Sequence, residues 1–548
     1  MRPVKGDIMG TGRRSLIGAL GVALVAGSLG GIAGSAGAAT GPKHGGSIIY
    51  SVEAETPGYC LPGGSQLAPA GIEVASAIYD TLTTINTKNQ YVPYLAQSVT
   101  PNATLDQWTI TLRPNIKFHN GEALDANAVK LNLDTYRGLN PKIPSPLSSF
   151  TFKNVASVDV TGPLTVVVTT KTPWAAFPAY LYGSGRTGIV APAQLADNNT
   201  CSTNLIGTGP FKLALGGYRL NESTTVVRNP HYWRPGLPYL DSIKFVPAQE
   251  AAQQLNGLQA GDLDVIQTRD AHNIIQLRQR KASGQISEQD TDNGTDVGYG
   301  MLNVGAAPFN DMNARLALAY AGDANQINQI RNQGLETLAT GPFAPATPYY
   351  LTFAQAGLPT HNVAKAKAYA RLYSQAHGGQ TLSYTYLTPG ADPELLALAE
   401  LTKQQDAQAG INVNIQQVDQ ATGISNAIAH QFQFLAWANH PQADPDTQYA
   451  WWYSGSPVNF GQINDPVINQ LLDQGRVETN PAKRIQIYRQ LNKQFATKLY
   501  NLWAFYTKWS VGAQKNIGGL NGAPLPDGHG QAYALFEGIV PTVTLYKK

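Results

Sequence analysis

Strand-like and helix-like segments follow one another along this chain, and this alternation constrains its fold more than any other feature. Ser47–Val52 is a short apolar run typical of a buried strand, and it leads directly into turn-forming residues. In the second half, Pro393–Ala409 has helical spacing and ends at Gly410, and Ile411–Ile415 follows as an alternating strand. The pattern predicts an α/β fold.

The chain is long enough for several domains. Its 548 residues correspond to roughly three domain-sized units of ~150 residues each. Trp108–Arg113 and Pro163–Thr169 have the composition and spacing of further strands, and Asp465–Leu499 has the spacing of two helices. With 43% hydrophobic residues the chain can bury a sizeable core.

The first 39 residues have the features of an export signal. Arg13 and Arg14 precede the apolar run Leu16–Ile32, and small residues follow at positions 36–38. The pair of arginines also resembles a twin-arginine signal, so the export route, Sec or Tat, stays open. An uncleaved membrane anchor is the alternative, because the run approaches the ~20 residues that span a bilayer. No cysteine in or just after this run offers a site for a lipid anchor.

The net charge of +3 comes entirely from this segment. The remainder has as many acidic as basic side chains, which disfavours a protein that binds nucleic acid by neutralising phosphates. Charged residues make up only 14% of the chain, below the typical ~25%. Such a surface is common outside the cytoplasm.

The chain has two cysteines, Cys60 and Cys201. In an oxidising compartment this even count predicts a disulfide bond, and two unrelated buried thiols are the alternative. Closing so long a loop would stabilise the fold by roughly 4 to 5 kcal/mol in the chain-entropy model.

Motifs for catalysis are missing from the sequence. It has no Gly-x-Ser-x-Gly elbow, no Walker A loop and no His-Glu-x-x-His helix. Its nine histidines are scattered and lack the close pairing typical of a zinc site. We therefore expect a protein without catalytic residues, metal ligands or a cofactor, and an enzyme is the less favoured interpretation.

Several segments resemble the extracellular solute-binding proteins of family 5, the peptide- and nickel-type receptors of ABC importers. The most specific are Gly207–Lys212, Val227–Trp233 and Pro238–Asp241. Further segments match in the same order: Ile78–Leu82, Pro93–Ala96, Leu112–Gly121, Pro308–Asp311, Ala409–Val413 and Asn464–Ile468. The resemblance covers essentially residues 45 to 548. We expect the most specific segments to support the fold rather than the ligand.

The resemblance implies a two-lobed periplasmic-binding-protein-like fold of type II, cluster C, with an extra domain. After the export signal 1–39, domain I would comprise 40–82, 205–300 and 511–548, domain II would be 83–204, and domain III would be 301–510. The chain would cross between the lobes near Tyr299–Asn303 and near Lys508–Val511. Ligand bound in the cleft would shift the equilibrium between open and closed lobes.

The resemblance also directs two loops into the cleft. They contain Tyr59, after the first strand, and Trp437, Asn439 and His440, at a later strand end. Oligopeptide binders of the family carry an acidic residue at the position of His440, where it pairs with the peptide's α-ammonium group. A neutral imidazole lacks that charge, which disfavours recognition of a free peptide N-terminus.

Two more groups are ligand candidates. Asp444 would replace the missing acid if its loop is rearranged, and otherwise it belongs to a polar turn. Trp452 and Trp503 come from an aromatic-rich set whose remaining members we expect in the core.

Together these features predict an exported binding protein of the periplasm or cell envelope. It would capture a peptide-like or other medium-sized solute and deliver it to an ABC permease, as a monomer and without nucleic acid. An oligosaccharide or metal-chelate receptor on the same scaffold is the alternative, and a secreted hydrolase is a more distant one.

Overall fold

The computed structural model describes residues 42–55, 58–61, 68–145, 148–197, 203–248, 250–291, 296–389, 393–441 and 443–548. They lie in one compact unit, Pro42–Lys548. Three larger sheets and the helices around them make up this mixed α/β unit. The predicted fold class is confirmed. The predicted signal, residues 1–39, lies outside the described residues.

The first sheet has seven strands, and its centre is the strand Ser47–Val52 predicted from the sequence. That strand runs parallel to both of its neighbours, whereas the other pairs are antiparallel. In spatial order the strands are Ile286–Asp290, Ser510–Gln514, Val265–Thr268, Ser47–Val52, Ser242–Pro247, Ser223–Arg228 and Phe211–Arg219.

The second sheet has four antiparallel strands. Trp108, Ile110 and Leu112 alternate with more exposed residues and form its buried face, as the period-2 pattern predicts. In spatial order its strands are Ala96–Pro101, Gln107–Leu112, Thr165–Thr170 and Val155–Gly162. The helix Ala126–Tyr136 shares this core and begins at Asp125, whose carboxylate accepts a hydrogen bond from Ala128 N at 2.8 Å.

The third sheet has six strands, in the order Thr337–Leu338, Asn501–Tyr506, Val297–Leu302, Phe434–Asn439, Ser383–Pro389 and Asn412–Val418. Its central strand, Val297–Leu302, is antiparallel to both neighbours. Tyr299 lies opposite Trp437 on one side and opposite Trp503 on the other. Cross-strand neighbours share a face of a sheet, so these three aromatic residues form a row.

Helices cover these sheets. The longer ones are Pro69–Ile78, Ala126–Tyr136, Ala251–Ala260, Ala271–Ala282, Met312–Ala321, Ala324–Asn332, Val363–Ala376, Pro393–Gln408, Gln420–Ile428, Pro466–Val477 and Pro481–Lys498. Short helices are Ser149–Phe152, Phe177–Tyr180, Pro192–Leu195, Phe353–Ala356 and Tyr449–Trp452, and short strand pairs are Thr83–Ile85 with Tyr91–Pro93 and Ile517–Gly518 with Tyr546–Lys547. Among the described residues no helix has the length and apolar character needed to cross a membrane.

The chain passes twice between the first and third sheets. It leaves the first sheet at Asp290 and enters the third at Val297, and it returns between Tyr506 and Ser510. The predicted boundary between residues 300 and 301 therefore lies inside a strand of the third sheet, and the boundary between 510 and 511 lies inside a strand of the first. The first passage lies before the predicted Tyr299–Asn303, and the second overlaps the predicted Lys508–Val511.

The most specific family-like segments form a buried structural contact. A Cβ atom at Gly207 would lie 2.1 Å from Ile78 O, so only glycine allows this approach. Nearby, Asp80 accepts hydrogen bonds from Thr208 Oγ1 at 3.1 Å and from Trp233 Nε1 at 2.9 Å. These segments hold the fold together, as predicted.

A buried ionic group, the Asp446 network, joins the region of the second sheet to that of the third. Trp174 Nε1 donates to Asp446 Oδ2 at 2.8 Å, and Tyr180 Oη donates to Asp446 O. Arg476 Nε lies 3.1 Å from Asp446 Oδ1, and its guanidinium group lies 3.5 Å from the centre of the Tyr449 ring. Every charged group in this network has a partner.

Candidate functional site

A cavity of about 1150 Å³ lies between the first and third sheets. The first sheet contributes residues that follow its parallel strands, including Glu53 after Ser47–Val52 and Arg269 after Val265–Thr268. The third sheet contributes the strand Val297–Leu302 and both of its neighbours. Ligands commonly bind at the carboxyl ends of parallel strands, so the first-sheet wall has a typical binding position.

The first-sheet wall of the cavity is charged. Glu53 and Arg269 form an ion pair, and the guanidinium group of Arg269 lies 5.8 Å from the centre of the Trp509 ring. Arg186 adds a second cation to the cavity wall, and its carbonyl oxygen accepts a hydrogen bond from Tyr136 Oη at 3.1 Å. A solute at this wall meets fixed charges of both signs.

His440 and Asp296 lie side by side at the end of the third-sheet wall. His440 Nδ1 and Asp296 Oδ1 are 3.9 Å apart, which is too long for a hydrogen bond. Neither atom has a hydrogen-bond partner among the described residues. Burial, together with Arg186 and Arg269, lowers the pKa of His440 to about 3, so its imidazole is neutral at neutral pH.

Asp296 is buried behind the cavity wall. Its Oδ2 atom accepts a hydrogen bond from Trp509 Nε1 at 3.1 Å. Burial raises the pKa of Asp296 to about 6, whereas Arg269 lowers it. A positive or hydrogen-donating group near His440 would relieve the cost of this unsatisfied buried acid.

The third-sheet wall is aromatic. Trp437, Tyr299 and Trp503 form the cross-strand row, and the rings of Tyr299 and Trp503 are 5.0 Å apart. Trp437 Nε1 donates to Asn439 Oδ1 at 3.1 Å. In contrast, the buried Nε1 atom of Trp503 has no hydrogen-bond partner among the described residues. A ligand group that reached this buried N–H would recover the cost of leaving it unpaired.

The structure brings four of the seven predicted ligand residues to the cavity: Trp437, Asn439, His440 and Trp503. It does not place Tyr59, Asp444 or Trp452 in the cavity wall. Tyr59 is 4% exposed within the core of the first sheet, and its Oη accepts a hydrogen bond from Thr224 Oγ1 at 3.2 Å. Trp452 is 2% exposed and packs on Phe495, with the ring centres 4.8 Å apart.

Asp444 belongs to a polar turn, the second of the two predicted possibilities. Arg484 binds both of its carboxylate oxygens, at 2.8 Å and 2.7 Å. Asp444 Oδ1 also accepts a hydrogen bond from Asp446 N at 2.9 Å. The loop is therefore not rearranged to replace the acid missing at position 440.

The predicted disulfide is not tested by the structure. Gln194 Nε2 lies 3.8 Å from Cys60 Sγ, and Cys201 lies outside the described residues.

Sequence reasoning missed Glu53, Arg269, Arg186 and Asp296. The first two follow parallel strands of the first sheet, and the preference of ligands for that sheet edge would have found them. Arg186 comes from a glycine-containing segment far along the chain, and Asp296 comes from the start of the neighbouring strand. No sequence signal places these two beside His440.

The described residues contain no group of three or more His, Cys, Asp or Glu side chains arranged to hold a metal ion.

Comparison with known proteins agrees with this architecture. Residues 90–460 match the family model of the bacterial extracellular solute-binding proteins, family 5 Middle. The glutathione-binding protein GsiB of Salmonella paratyphi A is 29% identical over 354 residues, which are 63% of this chain and 65% of that protein. The chain thus spans just under two thirds of the length of the curated relatives it matches.

Two solved structures show the same fold. The binding protein AgaA from A. tumefaciens R10, in complex with agropinic acid, has a TM-score of 0.80 and 23% identity, covering 92% of this chain and 99% of that one. The oligopeptide-binding protein AppA from Bacillus subtilis, in complex with a nonapeptide, has a TM-score of 0.79 and 18% identity, covering 93% of this chain and all of the other. The two-lobed fold expected from the sequence is confirmed.

Proposed function

Because this chain belongs to the bacterial extracellular solute-binding proteins of family 5, we propose that it captures a solute between its two lobes and delivers it to an ABC permease. It acts by binding and lobe closure, without breaking a bond. The two passages between the first and third sheets form the hinge of this movement.

One observation carries the proposal: residues of both sheets line the same cavity. A solute that contacts Glu53 or Arg269 on one side and Trp503 on the other has more contacts when the lobes are closed. Only such a difference in affinity between the two states shifts their equilibrium. Capture and closure follow from this shared cavity.

The solute is peptide-like or another medium-sized molecule. A cavity of about 1150 Å³ exceeds the ~300–1,000 Å³ typical of pockets for drug-sized ligands. Glutathione and a nonapeptide, the ligands named for GsiB and AppA, are both peptides. The neutral imidazole of His440 favours a solute other than an ordinary peptide with a free N-terminus.

An oligosaccharide is the second candidate. The row of Trp437, Tyr299 and Trp503 supports it, because flat aromatic faces match the apolar faces of sugar rings. A metal chelate has less support. The sequence placed one histidine in the cleft, His440, and the structure adds His361, whose Nδ1 atom lies 3.0 Å from Ala321 O.

The remaining parts of the proposal concern the location, the disulfide bond and the oligomeric state of the protein. Residues 1–39 direct export to the periplasm or cell envelope, where a Cys60–Cys201 disulfide forms. The mature chain works as a monomer.

Mass spectrometry of the solute that co-purifies after native extraction and mild denaturation tests the function. We expect one stoichiometric solute, released unchanged. Conversion of that solute, or of a peptide pool, by the purified protein would overturn the binding function. A dominant sugar would replace the peptide-like assignment with the second candidate.

A further inference from the structure

The cavity continues from the cleft over the face of the third sheet opposite the aromatic row, because positions 298 and 300 face the other side of their strand from Tyr299. Gly298 lies opposite Ala438, and Gly300 lies opposite Ala436, in neighbouring antiparallel strands. Directly opposite residues point to the same face, so these four positions form a floor without large side chains. All four line the cavity. We name the part of the cavity above this floor the inner chamber.

Apolar side chains form much of the wall of the inner chamber, beside the polar Thr402, Gln405 and Asp406 of the helix Pro393–Gln408. Leu318 comes from the helix Met312–Ala321, and Leu395 and Leu398 come from the helix Pro393–Gln408. Ile424 and the ring of Phe434 add further apolar surface. Leu318, Phe434 and Ala436 also pack in one core cluster, which confirms that the floor faces these helices.

The protein's own side chains fill only part of this space. The ring of Phe434 covers Gly300, where an added Cβ atom would lie 2.2 Å from it, whereas the Gly298 end of the floor stays open. Gly298, Ala436 and Ala438 are partly exposed although they lie in central strands of the sheet. A Cβ atom at Gly298 would meet no atom closer than 3.8 Å. Leu395, Leu398 and Ile424 are also only partly buried. Apolar surface that lines a cavity and stays accessible favours an apolar ligand group.

We propose that the inner chamber receives an apolar arm of the solute, while the polar part of the solute lies in the cleft. The substrate class is then amphipathic: a compact polar or charged molecule, such as an amino-acid or peptide derivative, that carries one aliphatic or aromatic arm. This assignment rests on the proposed function and names the solute that the same cavity selects.

A homologous series of ligands tests the arm directly. Acetyl-, butyryl-, hexanoyl- and octanoylglycine share one polar end and differ in the length of the arm. Each methylene group buried in the chamber should raise the affinity about fourfold, from ~0.8 kcal/mol per group. Titration calorimetry on the wild-type chain should show this increase up to the length that fills the chamber. No binding, or an affinity independent of arm length, would overturn the proposal.

Ala438→Leu adds a side chain to the floor and should weaken octanoylglycine binding about tenfold, as expected for overfilling a packed site. Acetylglycine binding should change less than twofold. Ala397→Leu is the matched control, because it adds the same volume to an exposed position of the helix that carries Leu395 and Leu398. An equal loss of octanoylglycine affinity in both variants would overturn the proposal that the chamber binds the apolar arm.

Gly298→Ala is the second variant in case Ala438→Leu does not fold. Its added methyl group fits without displacing a neighbour, and we expect about a threefold loss for octanoylglycine, close to the effect of one methylene group. Unchanged affinity in this variant would also count against the chamber. The co-purifying solute separates the two hypotheses: if it binds Ala438→Leu as tightly as wild type, the function stands and the chamber fails.

Discussion

Two buried acids, Asp446 and Asp296, differ in their hydrogen bonding: both carboxylate oxygens of Asp446 have partners, whereas one oxygen of Asp296 has none among the described residues. Each accepts a hydrogen bond from an indole N–H, of Trp174 at 2.8 Å and of Trp509 at 3.1 Å, respectively. Asp446 also pairs with Arg476, so both of its oxygens have partners. Asp296 Oδ1 has none among the described residues, and the nearest imidazole nitrogen is 3.9 Å away.

The fully paired acid, Asp446, has a structural role, whereas the incompletely paired acid, Asp296, lies beside the candidate binding site. A saturated network holds two regions of the chain together and leaves nothing for a solute to contact. An unsatisfied buried polar atom costs about 1–3 kcal/mol, so a solute or water that completed it would recover that free energy. Asp296, His440 and Trp503 are unsatisfied in this sense, and two of the three line the cavity.

The largest expected effect concerns the Asp446 network, in which every charged group has a partner. Arg476→Ala leaves Asp446 buried without its counter-charge, and we expect the free energy of unfolding to fall by about 3–5 kcal/mol. Urea denaturation measures this change. Arg219→Ala, which breaks the exposed pair with Glu222, is the control and should change stability by less than about 0.5 kcal/mol. Equal losses in the two variants would show that the Asp446 network is not special.

Asp296 should make stability depend on pH. Its folded pKa of about 6 lies above the ordinary 3.8, so between these values the native state binds more protons than the unfolded state. The contribution of Asp296 to stability therefore falls as pH rises from about 4 to about 6 and is level above that range, with a total change on the order of 3 kcal/mol. Asp296→Asn should remove the contribution of this acid from the difference between the urea midpoints at pH 4.5 and pH 7.

The control for that slope is Asp80→Asn. Burial raises the pKa of Asp80 to about 6 as well, but its partners are Thr208, Tyr232 and Trp233, away from the cavity. Both variants should change the pH dependence of stability, and only Asp296→Asn should also change solute affinity. If the pH dependence of stability is the same in Asp296→Asn as in wild type, Asp296 does not titrate with a raised pKa.

Trp503→Phe tests the unsatisfied indole. The variant keeps an aromatic ring and deletes the N–H donor, so solute affinity should fall up to about tenfold, the value of one hydrogen bond. Stability should stay within about 1 kcal/mol, because no internal hydrogen bond is lost. Trp452→Phe should do the reverse, since Trp452 packs in the core outside the cavity. Calorimetry measures the affinity and urea denaturation the stability of both variants. Loss of affinity in Trp452→Phe but not in Trp503→Phe would contradict the prediction.

The smallest effect concerns His440. His440→Asp should raise the affinity for peptides with a free N-terminus by a few fold, because a carboxylate replaces a neutral imidazole. The gain is limited by repulsion from Asp296 nearby. His440→Asn is the uncharged control in the same titration. Equal affinities for wild type and both variants would show that the α-ammonium group binds elsewhere.

Sequence patterns predicted the elements better than the site. The strand Ser47–Val52 has the predicted bounds, and the helix Pro393–Gln408 ends one residue before the predicted position, with Gly410 in the left-handed region at φ +76°. Such local features depend on the periodicity of neighbouring residues, which the sequence contains. The family resemblance then located Trp437 to His440 at the correct strand end.

The remaining site residues depend on contacts between distant parts of the chain. Tyr59 and Trp503 are both aromatic residues next to strands, but one packs in the first-sheet core and the other lines the cavity. Which of the two residues faces the cavity depends on the position of the first sheet relative to the third. The same placement brings Arg186 near His440, and composition and spacing contain no information on it.

The strand order of the first sheet has a consequence for biosynthesis. Ser510–Gln514 lies between Val265–Thr268 and the edge strand Ile286–Asp290, and it pairs with both. A ribosome therefore releases more than 200 residues of third-sheet chain before the first sheet receives this strand. Until then the growing polypeptide exposes unpaired strand edges, which invite association with other chains. The first sheet therefore cannot be completed until the chain beyond the third sheet has been translated.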